Sequence, residues 1–373
     1  DEGDTFLLIN PYLLPIVLKS KHCTKKLLKI SNNKRSIFSY VCTENNMHLQ
    51  NLLQSKYFDC GFLTDEISSS TLNVINKLCI DDPYNVLDII MELPICTDDI
   101  MNHCNDANFV PLSYALLSCN TMTIDKLIDS RFDLSKSFMH VDNHNRNLLM
   151  LSSLVNGEVL SLIMNCKYIT KEMFFYGDKN KHNVLIYALN ENVKVVQLLV
   201  ESKYWCDELM YYTDIDNDFL LLYPYNHPEI VKYLLESDKC KKDIVNMQNN
   251  FGKNCSHYYA KYNDTTLSCL LESNKCSNQI LNHQDLVGET CLHIACQYNI
   301  KSLNKLMDSK YMTEELILKQ NIKGHNAIMT ILLYNPDHAI KLYTKFISLK
   351  SLINQIDKKG NNLIFYAIRY DLR

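Results

Sequence analysis

The sequence predicts an all-α protein: a solenoid of antiparallel helix pairs in long units of about 36 residues. Three observations predict it. Gly252, Gly288, Gly324 and Gly360 stand 36 residues apart in succession. Apolar pairs recur at a matching interval: Leu127-Ile128, Leu162-Ile163, Leu198-Leu199, Leu234-Leu235, Leu270-Leu271 and Leu306-Met307. Between them lie polar connectors that begin with Asp and turn at Gly or Asn, such as Asp142-Asn143-His144-Asn145 and Asp357-Lys358-Lys359-Gly360. A fixed period in the range of about 20–50 residues means stacked repeats, each covering the apolar face of its neighbour.

Taken in order, the key apolar residue of successive units is Leu7, Phe38, Leu72, Leu112, Leu149, Leu185, Leu221, Ser256, Leu292, Ile328 and Ile364. The spacing is irregular over 1–107 and regular over 108–373, where the last unit is incomplete. One continuous solenoid of ten to eleven units is the simplest organisation, since no low-complexity segment or Pro/Gly/Ser linker interrupts the pattern. Each unit opens with a short helix at the key residue. A second helix follows, with Val195, Val196, Leu198 and Leu199 showing the i, i+3, i+4 spacing of one apolar stripe. Asp99 before Ile100-Met101, Asp207-Glu208 before Leu209-Met210 and Asp243 before Ile244-Val245 then predict a short extra helical turn, which accounts for the long unit. The fourth connector position needs a left-handed backbone. Gly and Asn tolerate it, and Lys181 is the departure.

Gly288-Glu289-Thr290-Cys291-Leu292-His293-Ile294-Ala295-Cys296 resembles the ankyrin core pattern G-x-T-P-L-H-x-A-A, with Cys291 where proline usually stands. Val110-Pro111-Leu112-Ser113-Tyr114-Ala115 keeps the proline, and Gly3-Asp4-Thr5-Phe6-Leu7 carries Phe6 in its place. The long units, with tails such as Ser202-Lys203-Tyr204, and the Asn, Lys, Ile and Tyr bias of an AT-rich genome look like the ankyrin proteins abundant in giant DNA viruses related to mimivirus. The resemblance implies that His257 and His293 bond to neighbouring backbone and tie adjacent connectors together. It also implies that connectors project as fingers and that first helices line a concave face, both of which contact protein partners. Finger candidates are Asn143, His144, Lys179, Lys181, Asp216, Asn217, Phe251, Lys253, Glu289, Lys323, His325, Lys358 and Lys359. First-helix candidates are Tyr225, Tyr259, Lys261, Gln297 and Tyr298.

Chemistry finds little footing. A formal net charge of −4 gives no drive toward nucleic acid. No apolar run is long enough to span a membrane. The 15 Cys form no C-x-x-C, and Cys291 aligns with Val184 and Ala327. Reduced, buried thiols in a cytosolic compartment, the host cytoplasm or a virion, are the expectation, and the two sequons at Asn254 and Asn263 are chance matches. His140 and His144 are four apart but fall at a connector, with no third ligand nearby. Cys291, Cys296 and His293 lack an orienting carboxylate. Acidic runs such as Asp214-Asp216-Asp218 lack the calcium-loop spacing. No phosphate-loop, dinucleotide, zinc-protease or nucleophile-elbow motif occurs. No enzyme activity, cofactor or metal is expected. Ser256 replaces the usual apolar residue; its hydroxyl is expected to bond within its own helix, and Ser256→Leu to be neutral or stabilising.

The sequence therefore supports a protein-binding scaffold, with two alternatives: a structural component of a virus particle, or the binding region of a longer enzyme or ubiquitin-ligase adaptor. No F-box-like segment is visible before Arg373. The chain starts at Asp1 and stops just after a first helix, so either end is expected to be a fragment boundary, or the last half unit a cap.

Overall fold

The computed structural model describes residues 11–29, 37–43, 46–64, 73–223, 227–346 and 350–369. The proposed unit at Leu7, the key residue Leu72 and the candidate Tyr225 lie outside the described residues. Among the described residues the regular elements are helices, joined only by isolated bridges, Val141 with Asn147, Thr213 with Phe219 and Ile356 with Asn362. No described helix is long and apolar enough to cross a membrane. The chain divides into two compact units, Asp1–Lys179 and Asn180–Arg373.

In the first, helices α1 (Pro111–Leu117) and α2 (Thr121–Ile128) are followed by α3 (Leu148–Ser153) and α4 (Gly157–Met164). α1 packs on α3 and α2 on α4, so like faces stack. Pro111 opens α1 at its first position, where a missing N–H loses no helix bond. Upstream, Asn73 caps a helix over Val74–Ile80, its side chain accepting from Asn76 N–H at 2.8 Å. Asn147 caps α3 in the same way, two residues before Leu149. The counterpart of Leu149 is therefore Ile75 and not Leu72, which corrects the register by three residues and makes the intervals from Phe38 and to Leu112 both 37 residues (75 − 38 and 112 − 75).

The second unit holds α5 (Val184–Ala188), α6 (Val193–Val200), α7 (Pro228–Glu236), α8 (Cys255–Tyr262), α9 (Asp264–Glu272), α10 (Cys291–Tyr298), α11 (Ile300–Asp308), α12 (Ala327–Tyr334), α13 (Ala339–Phe346) and α14 (Leu363–Arg369). First helices α8, α10, α12 and α14 stack in that order, and second helices α7, α9 and α11 stack beside them. The α6 stripe is displaced by one residue from expectation: Val195, Val196, Leu199 and Val200 are buried, and Leu198 is only half-buried. Asn caps most of these helices: Asn183, Asn254 and Asn326 on first helices, Asn192, Asn263 and Asn299 on second ones. The Asn-rich composition thus has a structural use, since its side chain satisfies an otherwise orphaned N–H.

The Leu221 unit departs. Its first helix is a three-residue 3-10 turn, Leu220–Leu222. Pro224 has no N–H to offer the turn a further bond. The turn's exposed acceptor is met from the next unit: Tyr259, fully buried, donates its hydroxyl to the Leu221 carbonyl at 2.7 Å.

The expected extra turn is present, as in Asp98–Met101, Lys242–Val245, Asn278–Leu281 and Glu314–Leu318. Its apolar pair is buried, Ile244-Val245 and Leu316-Ile317 included. Asn254 also holds this turn, its Nδ2 donating to the Ile280 carbonyl at 2.9 Å. A further tie leaves no local signature in the sequence. Basic tail residues reach back to carbonyls that end the preceding second helix: Arg131 to Met91 at 2.9 Å, Lys239 to Val200 at 2.8 Å, and Lys275 to Ser237 at 2.9 Å.

Candidate functional site

The fingers are built alike from their first residue. Asp or Asn accepts the N–H groups two and four residues on through one oxygen. Asp285 Oδ1 takes Val287 and Glu289 at 3.0 and 2.8 Å, Asn321 takes Lys323 and His325, and Asp357 takes Lys359 and Asn361. The fourth residue is left-handed each time, Asn145, Asn217 and Gly288 among them. Lys181 adopts the same conformation at φ +61°, so the turn overrides its side chain's preference. At Gly324 a Cβ would stand 2.7 Å from Lys358 N, because the next finger runs directly against it.

Successive fingers are joined by backbone rungs. Ile215 N–H donates to Asn180 O, Asn250 to Asp216, Leu286 to Phe251, Ile322 to Val287 and Lys358 to Lys323, all at 3.0–3.2 Å. A second tie comes from the buried histidines. His257 Nε2 donates to Glu289 O at 3.0 Å and His293 Nε2 to His325 O at 2.9 Å, as the family pattern implies. His293 Nδ1 accepts from the Thr290 N–H, completing a capping box. Burial lowers both imidazoles to about 4, so they are neutral at ordinary pH.

With the backbone committed, side chains define the surface. Asn143, His144 and Lys179 are exposed at fingertips of the first unit. Lys181, Asp216, Asn217, Phe251, Lys323, Lys358 and Lys359 are exposed at those of the second. Several candidates are engaged internally. Lys253 pairs with the buried carboxylate of Asp285 at 2.6 Å, His325 bonds the Tyr366 hydroxyl at 3.0 Å, and Glu289 accepts from Gln297 Nε2. Tyr259 does not reach the surface, and its expected role as a contact residue gives way to the capping role above.

The structure brings Phe251, Lys261 and Tyr298 together with a residue the sequence reading missed, Tyr262, around a groove of about 300 Å³. The missed signal was periodicity: Tyr262 and Tyr298 are 36 residues apart (298 − 262), at the same place on α8 and α10. Lys261 Nζ stands 4.7 Å from the Tyr262 ring and 4.9 Å from that of Tyr298. Also missed were apolar fingertips: Ile215 is 52% exposed, Leu286 72% and Ile322 52%. With Phe251 they form a ridge along the rungs.

The thiols sit elsewhere. Cys291 and Cys296 are fully buried, desolvation pushes the Cys291 thiol up to about 12, and its Sγ points to Leu281 O rather than to His293. His140 lies against Asn108 O and the Cys104 thiol, away from the exposed His144. Among the described residues no three His, Cys, Asp or Glu gather as a metal set. Ser256 is buried, and its hydroxyl donates to Asn254 Oδ1 at 2.7 Å, not to a carbonyl of its own helix as expected.

The family model for ankyrin repeats, in three copies, matches residues 220–315, the stretch that contains this groove. The chain has the ankyrin-repeat fold, and ankyrin repeats are protein–protein interaction modules. No curated protein matches. Among solved structures, an ankyrin repeat protein, EF0377, is similar at 20% identity and TM-score 0.41, over 50% of this chain and 92% of that one. The ankyrin repeat domain of Bcl-3, of the IkappaB family, is similar at 14% identity and TM-score 0.48, over 64% and 100%.

Proposed function

We propose that the chain is a non-enzymatic scaffold that holds a protein partner against the fingertips and first helices of residues 215–359. The observation that carries this reading is the ridge of Ile215, Phe251, Leu286 and Ile322, exposed along a rung-linked row. Apolar side chains held out by a stiff backbone give contact area at small cost in ordering. The exposed polar tips at Asp216, Asn217, Lys323, Lys358 and Lys359 supply its rim. Fifteen cysteines, none of them in a disulfide, support action in a reducing compartment, the cytoplasm. The base bias and long units support a giant-virus origin.

Proximity labelling with the full chain as bait tests the reading. A specific set of proteins should be labelled by the wild type and lost with Ile215→Ser, Leu286→Ser and Ile322→Ser combined. Identical labelling by both chains sinks it. Recovery only with capsid proteins of purified particles would favour a particle component instead.

A further inference from the structure

The geometry points to an acidic, aromatic-bearing linear segment of another protein as the occupant of the groove between α8 and α10. The inference rests on the scaffold reading and names the chemistry of the partner. The Lys261 ammonium lies over two tyrosine rings, and among the described residues it has no carboxylate within ion-pair distance. The other lysine of the groove, Lys253, is spent on Asp285. The one carboxylate lining the groove, Glu289, is engaged by Gln297. The open electrostatic position is thus a cation, already held in place by ring faces.

The surroundings set what must accompany the partner's carboxylate. Phe251, Tyr262 and Tyr298 are 57%, 46% and 59% exposed, so the groove offers accessible aromatic surface around Lys261. An aromatic or large aliphatic neighbour of the acidic residue would cover those rings and exclude water, which strengthens the ion pair at Lys261. On the next two fingers, Lys323, Lys358 and Lys359 are exposed and likewise have no carboxylate within ion-pair distance among the described residues. A neutral or basic segment would leave this row of cations unanswered; an acidic one is steered toward it.

A random dodecapeptide phage library panned on the full chain provides the probe. Enriched peptides should carry Asp or Glu beside an aromatic or large aliphatic residue. By titration calorimetry, binding of the best peptide should weaken by at least about tenfold with Lys261→Glu and with Tyr298→Ala, the loss expected for a central anchor. It should be unchanged with Lys171→Glu, an exposed lysine of the other compact unit. Added salt should weaken binding to the wild type far more than to Lys261→Glu. Matching thermal melts show that the variants fold. Peptides lacking the acidic residue, or affinities that survive both groove substitutions, overturn the inference and leave the scaffold reading in place. Failure to enrich any peptide also overturns it, and proximity labelling then judges the scaffold reading by itself.

Discussion

His257 and His293 make a stability switch out of their burial. The folded imidazoles titrate at about 4, against about 6.5 for a free side chain. Between those values the unfolded chain takes up protons that the folded chain refuses, so stability rises with pH there. Their contribution is complete above about pH 6.5 and is lost as pH falls toward about 4, at roughly 1.4 kcal/mol per pH unit for each residue. Urea midpoints measured across that window should fall steadily on acidification; a flat profile would show the imidazoles to be accessible. At Ser256 the hydroxyl belongs to the Asn254 cap and the site is fully enclosed. Ser256→Leu should therefore cost about 1–3 kcal/mol by overpacking, reversing what the repeat pattern alone suggests. Chemical denaturation of the two chains decides between them.

At the scale of the element, the finger shows how strongly a turn imposes its backbone. Asp178 starts the finger in which Lys181 is left-handed. A non-glycine residue there gives up about 1 kcal/mol. Lys181→Gly should recover up to about that amount, less the greater freedom glycine has when unfolded. A lower melting temperature than wild type would mean that the lysine side chain has a stabilising contact. The helix starts carry the same lesson. The Asn before most first helices is legible only once its N-cap role is known; Asn73 would then have placed Ile75 correctly. Tyr259 was not legible at all. Its hydroxyl serves a carbonyl 38 residues away, and that need arises because the preceding helix is cut to a single turn.

For the molecule as a whole, the 15 cysteines sort by enclosure. Cys60 and Cys119 are exposed; Cys255, Cys291 and Cys296 are buried, with their thiols pushed up by desolvation. Since the thiolate is the reactive form, brief iodoacetamide treatment should label Cys60 and Cys119 first. The three buried thiols should react only after urea is added, as read by mass spectrometry of the digested protein. Early labelling of Cys291 would mean that the stack opens locally around α10. The second compact unit is held by repeated short-range ties: rungs between fingers, histidines across them, and lysines reaching back to helix ends.

The sequence by itself determined the period, the helix pairs, the extra turn and the position of the left-handed residue in each finger. The helices, the extra turn and the left-handed residue follow from local pattern, because each depends on residues a few positions apart, and the period is the recurrence of that pattern. It also marked Phe251, Lys261 and Tyr298 as surface residues. Only the tertiary structure decided that these three share a groove with Tyr262, that Tyr259 is buried, and that Lys253 and Glu289 are already engaged. Those outcomes depend on side chains one repeat apart in the chain, whose meeting is set by how one unit stacks on the next.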